Sequence, residues 1–143
     1  MCGIVGLFLK DKSLEPKLGE MLTDMLITMS DRGPDSAGIA VYGKDDAGRS
    51  KLTVQAADPS VFDGLDKALG KALGSEVGIH LKDTHAVLDL PEGKTKEARA
   101  ALVEINPDIR VMSAGGTIEI YKVVGLPGDV AERFDIPRLT GTH

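Results

Sequence analysis

The chain has 143 residues, with 17 basic and 22 acidic side chains for a net charge of -5, and 42% of its residues are apolar. That length sets one ordinary domain as the ceiling and is enough to bury a core without disulfides or metal. The acidic balance lacks the cationic surface that nucleic-acid binding depends on, and no apolar run nears the ~20 residues of a membrane span, so neither partner is expected.

Cys2–Lys10 is short, apolar and partly β-branched, which predicts a buried first strand. From Ser13, Leu18, Met21, Leu22, Met25, Leu26 and Met29 recur at three- and four-residue steps, with Pro16 where a first turn tolerates it. This predicts one amphipathic helix, ending near Asp31 because Gly33-Pro34 follows. A loop over Arg32–Asp35 leads to a second strand at Ser36–Tyr42, and a third is expected around Lys51–Ala56. Asp58 can cap a helix with Pro59 in its first turn and a stripe through Val61, Leu65, Leu69 and Leu73. Strands follow at Val77–Leu81 and Thr84–Leu90, then a helix at Thr95–Ile105. Ile109–Ser113 and Thr117–Val124 read as a hairpin turning at Gly115-Gly116, and a short helix is expected over Gly128–Phe134. Strands and helices are mixed throughout, so the expected class is α+β. Pro137–His143 reads as an extended tail, as if the chain were cut there.

The single cysteine stands at position 2. A side chain that small lets an aminopeptidase remove Met1, which would leave a residue carrying both a thiol and a free α-amine. An α-amine of pKa about 7.7–8.0 can take the proton of a thiol near pKa 8.5, so nucleophile and base share one residue. Position alone leaves open the alternative of a small buried apolar side chain. Met1-Cys2-Gly3 does not open like a secretory signal, and the cytoplasm is the expected compartment.

Cys2-Gly3-Ile4-Val5-Gly6, a Met-rich helix, and then Arg32-Gly33-Pro34-Asp35-Ser36-Ala37-Gly38-Ile39 resemble the start of class II glutamine amidotransferases. The wording is most similar to the separately encoded amidotransferase subunits related to glutamate synthase and N-methylglutamate synthase. This resemblance covers about residues 2–43. It implies an N-terminal-nucleophile hydrolase of four-layer αββα fold, present here in part, with residues 44–133 as an α+β insertion. It also implies that Cys2 attacks the side-chain amide of glutamine and that ammonia passes to a partner synthase, with no cofactor and no metal. Gly3 would let substrate approach the nucleophile, Arg32 would favour its thiolate, and Asp35 and Ser36 would contact substrate or order the loop.

The family's later segments include an arginine that grips the substrate α-carboxylate and an Asn-Gly pair that serves the oxyanion. No Asn-Gly occurs here, since Asn106 is followed by Pro107. The 143 residues alone are therefore expected to lack glutaminase activity, and open sheet edges imply self-association or a second chain.

Other features carry less. Gly93-Lys94-Thr95 imitates the end of a phosphate loop, but Leu88 stands where that loop needs its leading glycine. His80 and His85 lack a companion set with metal-ligand spacing. A competing reading, from strand, strand, helix and hairpin over Val77–Val124, is a non-catalytic ferredoxin-like module that binds a ligand or partner.

Overall fold

Residues 3–32 and 35–143 are described in a computed structural model of the protein. In chain order the main elements are α1 (Leu18–Thr28), β1 (Ser36–Tyr42), β2 (Arg49–Gln55), α2 (Leu65–Leu73), β3 (Gly78–Lys82), β4 (His85–Pro91), α3 (Thr95–Ile105), β5 (Arg110–Gly115), β6 (Ile118–Val124) and α4 (Pro127–Arg133). The chain divides into two units: the stretch up to Lys44 with Ile120–His143, and Asp45–Glu119. The class is mixed α and β with antiparallel pairing.

In the first unit the long helix expected from Ser13 is broken into parts. The Asp11 carboxylate accepts from the Ser13 N–H and starts a 3-10 turn over Lys12–Lys17. Those two hydrogen-bond donations from Ser13, side chain and backbone, hold the exposed Asp11 carboxyl below its ordinary pKa. Pro16 lies within this turn and has no N–H to give an α-helical ladder, so α1 begins only at Leu18. It buries Leu18 and Leu26 and packs on α4 and on the 3-10 turn Ile136–Arg138. Gly19 makes that packing close: its N–H bonds the Leu139 carbonyl at 3.0 Å, and a Cβ there would lie 2.7 Å from the same oxygen.

β1 alternates strictly, with Ala37, Ile39 and Val41 buried and Ser36, Gly38 and Ala40 exposed. It pairs with β6 in a two-stranded sheet. Tyr121 on β6 is fully buried, its ring 5.3 Å from that of Phe134 just beyond α4.

The first strand expected at Cys2–Lys10 does not form among the described residues. Gly3–Leu9 runs as irregular backbone, with one rung from the Leu9 N–H to the Thr142 carbonyl at 2.9 Å. A strand needs a ladder, and apolar composition cannot supply one. Leu9 is buried, but Ile4 is 95% exposed and Phe8 65%. The tail, by contrast, is engaged with the fold: Thr142 N–H bonds the Tyr42 carbonyl and Tyr42 N–H bonds the His143 carbonyl, both at 2.8 Å.

The second unit runs β2, α2, β3, β4, α3, β5, with sheet order β3-β4-β2-β5 and every neighbouring pair antiparallel. That is the split β-α-β, or ferredoxin-like, arrangement; it was expected over Val77–Val124 but is built from β2 to β5, because β6 pairs with β1 in the other sheet. Its core is its own: Leu52 and Val54 of β2, Ala86, Leu88 and Leu90 of β4, Leu65, Leu69 and Leu73 of α2, and Ala98 and Leu102 of α3 form one cluster. Alternate residues of the two central strands thus face the two helices. Arg49 ties β2 to β4 through the Asp89 carboxylate and carbonyl, each at 3.0 Å.

Two expectations change here. The helix from Asp58 splits into a capped 3-10 turn, Pro59–Phe62, and α2, because Gly64 between them takes a left-handed φ of 72°. The hairpin at Gly115-Gly116 does not close: β5 pairs with β2 and β6 with β1, so adjacent strands join different sheets. The insertion expected over 44–133 meets a unit that ends at Glu119, with Val130, Ala131 and Phe134 buried beyond it.

Candidate functional site

Cys2, the expected nucleophile, lies outside the described residues, as do Gly33 and Pro34. What can be built is the frame that holds their neighbours. α1 ends at Thr28, and a 3-10 turn, Ser30–Arg32, closes with the Arg32 N–H on the Met29 carbonyl at 2.9 Å. Gly3 lies against this turn: a Cβ on it would overlap the Met29 Sδ-methyl and stand 3.3 Å from the Arg32 Cβ. Of the sequence-expected residues, the fold therefore brings Gly3 and Arg32 together, and it does so through a glycine whose missing side chain permits the approach. Asp35 precedes β1 and Ser36 begins it; both are exposed, with the Asp35 carbonyl accepting from the Gly125 N–H at 3.1 Å.

Below the N-terminal segment is a cavity of about 380 Å³. It is lined by Gly3–Leu7, by Leu18, Leu22, Leu26 and Met29 of α1, and by Gly38, Ile39, Ala40 and Tyr42 of β1 with His143. Apolar atoms supply most of its surface. Such a site can seat an aliphatic stem while backbone N–H and C=O groups address a polar end. Arg32 is exposed in the turn that follows α1.

Composition and periodicity gave no sign of one group at this site. His143 stacks on Tyr42 with ring centroids 4.2 Å apart and lies 5.3 Å from the Phe8 ring. Its neighbour Thr142 places its hydroxyl 2.8 Å from His143 Nδ1. Only the pairing of the tail with Tyr42 and Leu9 brings these rings together, and no local pattern encodes it. Met29 was legible as part of a helical stripe, but not as the residue against Gly3.

The other histidines belong to the second unit. His80 is exposed on β3, opposite Val87, while His85 is fully buried on β4, opposite Lys82 and 3.2 Å from the Thr84 hydroxyl. Among the described residues no three His, Cys, Asp or Glu side chains stand together as a metal site. Gly93 takes φ 81° in the turn before α3, and Lys94 pairs with Glu97 at 2.8 Å. No helix among the described residues is long and apolar enough to cross a membrane.

No protein-family model matches the chain, and no solved structure does. Across its whole length it is similar to the glutamine amidotransferase-like protein GlxB of Rhizobium meliloti (strain 1021), at 52% identity over 144 residues, covering 48% of that protein. It is also similar to a provisionally named glutamine amidotransferase of Methanothermobacter thermautotrophicus, at 29% identity over 152 residues and 50% of its length. The chain spans about half the length of these relatives, and along all of its own length it is a homologue of glutamine amidotransferase-like proteins.

Proposed function

We propose that the first unit is the nucleophile-bearing part of a class II glutamine amidotransferase, with Cys2 as the attacking group. The observation that carries the reading is a position-2 cysteine followed by the Arg32–Ile39 segment, in a chain homologous to glutamine amidotransferase-like proteins. The packing of Gly3 against Met29 and the Arg32 Cβ supports it, since the residue bonded to Cys2 is held at the turn that carries Arg32. A nearby positive charge favours thiolate.

In this reading Met1 is removed and the α-amine of Cys2 takes the thiol proton. The sulfur adds to the carbonyl carbon of the glutamine side-chain amide. The carbon–nitrogen bond then breaks, and nitrogen leaves as ammonia with the proton held by the amine. Water adds to the resulting thioester, the amine accepts its proton and returns it to sulfur as the carbon–sulfur bond breaks, and glutamate departs. Ammonia would pass to a synthase partner. Asp35 and Ser36 would order the loop before β1 or contact substrate, and the αββα architecture would be present in part.

The test is mass spectrometry of the intact protein, then labelling with a diazoketone analogue of glutamine in the presence of the remaining region of the relatives. Loss of Met1 and a single adduct on Cys2 are expected. Retained Met1, or glutaminase activity that survives Cys2→Ser, would sink the assignment.

For residues 45–119 the sheet order β3-β4-β2-β5 favours a second reading, a ferredoxin-like module that binds a ligand or partner without catalysis. Fold alone names no ligand for it.

A further inference from the structure

The second unit has a cavity of its own, of about 390 Å³, at one end of its four-stranded sheet. β2 and β5 stay joined as far as the rung Gln55–Arg110. Beyond that rung the Ala56 N–H bonds the Thr84 carbonyl, just before β4, at 3.0 Å, and the two strands part. The cavity opens in this fork: Gln55, Asp58 and Val61 line it from the β2 side, and Pro107, Asp108 and Arg110 from the β5 side. Both banks are fixed by local hydrogen bonds, since the Asp58 carboxylate accepts from the Ser60 N–H and the Asn106 side-chain carbonyl accepts from the Asp108 N–H, each at 2.9 Å. The polar heads between them are unspent. Gln55, Asp108 and Arg110 have no side-chain partner among the described residues, and Arg110 pairs with neither carboxylate of the same cavity.

A guanidinium and two carboxylates that share a cleft without touching leave room for a molecule that carries both complementary charges. We propose that this cleft binds a zwitterionic α-amino acid with a carboxamide side chain, its carboxylate on Arg110 and its ammonium on Asp58 and Asp108. Arg110 presents the planar fork that a carboxylate meets with two parallel hydrogen bonds. One cation against two anions disfavours phosphate or any polyanion, and the guanidinium disfavours a bare metal ion. Gln55, directly opposite Arg110, offers both donors and acceptor, the complement of a second carboxamide. Val61 and Pro107 give the aliphatic stem of such a ligand an apolar surface. The cleft shares no residue with the cavity lined by Gly3 and α1. This inference rests on the reading of residues 45–119 as a ligand-binding module, and it asks no catalysis of the cleft.

The experiment titrates the 143-residue protein with L-glutamine and follows backbone amide shifts by NMR. Saturable shifts at residues 55–61 and 106–110 are expected, with a dissociation constant of ~0.1–1 mM for so small a ligand in an open cleft. Arg110→Ala should weaken binding at least ~10-fold, as loss of a charge-assisted hydrogen-bonded pair does. Arg110 is exposed and unpartnered, so the change does not threaten the fold. Arg99→Ala removes the same charge from an exposed position on α3 and should bind like the parent. Glutaramate, which lacks the ammonium, and 4-aminobutanamide, which lacks the carboxylate, should each bind at least ~10-fold more weakly than glutamine. No shift at the cleft with ~10 mM glutamine, full affinity in Arg110→Ala, or equal binding of either truncated probe would overturn the proposal. Shifts elsewhere in residues 45–119 that ignore Arg110→Ala would overturn the cleft and leave the module reading standing, and shifts confined to residues 3–42 would place glutamine at the other cavity alone. Glutamate release that persists in Cys2→Ala but is lost in Arg110→Ala would keep the site and refute the non-catalytic reading of this unit.

Discussion

Leu88→Ala probes the second unit where its layers meet. Leu88 is fully buried, sits in the middle of β4, and is paired with Leu52 across one neighbour and Ile79 across the other. Truncation removes a buried isobutyl group and leaves a cavity that two ladders prevent from collapsing, so the cost belongs near the top of the Leu→Ala range, about 3–5 kcal/mol. A unit the size of Asp45–Glu119 has a total stability of about 4–11 kcal/mol. One substitution therefore removes about a quarter or more of it. In urea, with a slope of about 1 kcal/mol per molar for so small a unit, the midpoint should fall by about 3–5 M. Circular dichroism gives the midpoint, and hydrogen exchange on peptides from β4 and α3 assigns it to this unit. Val103→Ala, on the exposed side of α3, should change stability by less than about 0.5 kcal/mol. A loss of 1 kcal/mol or less for Leu88→Ala would refute the single cluster of buried residues as the source of this unit's stability.

Gly19→Ala gains helix propensity worth about 1 kcal/mol, but its Cβ would strike backbone atoms of Ile136 and Leu139, so a net fall in melting temperature is expected. A rise would mean that the 136–139 segment yields easily. Asp58 accepts from the Ser60 N–H, and that hydrogen bond, with one from the Ser60 hydroxyl, lowers its carboxyl pKa. Because the folded-state pKa lies below the unfolded one, its stabilisation is present above the ordinary carboxylate range and disappears as pH falls through the lowered value. Asp58→Ala should thus melt below the parent at neutral pH, with the gap narrowing as pH falls through the lowered value; a constant gap would show that charge is irrelevant there. Arg32→Ala should raise the apparent pKa for alkylation of Cys2, whereas an unchanged pKa with a lower melting temperature would make Arg32 merely structural.

Where a segment's structure is decided by its own residues, the sequence was readable. β1 at Ser36–Tyr42 and α3 at Thr95–Ile105 have the expected bounds, because alternation and a helical stripe are local and nothing later competes with them. The strands from Gly78 and His85 are displaced by only a residue at each start. Failures occur where distant partners decide. Gly115-Gly116 between two β-rich runs suggests a hairpin, yet Val54 pairs with Val111 and Thr53 with Ser113, and the register shift between those rungs commits β5 to β2. Nothing within Ile109–Val124 encodes that preference, since the competing ladder is supplied from more than fifty residues upstream.

The candidate site is readable in the opposite sense, through chemistry rather than geometry. Cys2 and Arg32 could be singled out because residue types that activate a thiol are few, and their order along the chain matched a known pattern. How Gly3 comes to rest on Met29 and Arg32 is a packing result, fixed by α1 ending at Thr28 and by the 3-10 turn that follows it. The same distinction explains the N-terminal segment. Its apolar, β-branched composition states a demand for ladder partners and burial, and composition cannot say which chain will meet that demand. Leu9 is satisfied by Thr142 while Ile4 and Phe8 remain in water, so one segment is half answered from within these residues.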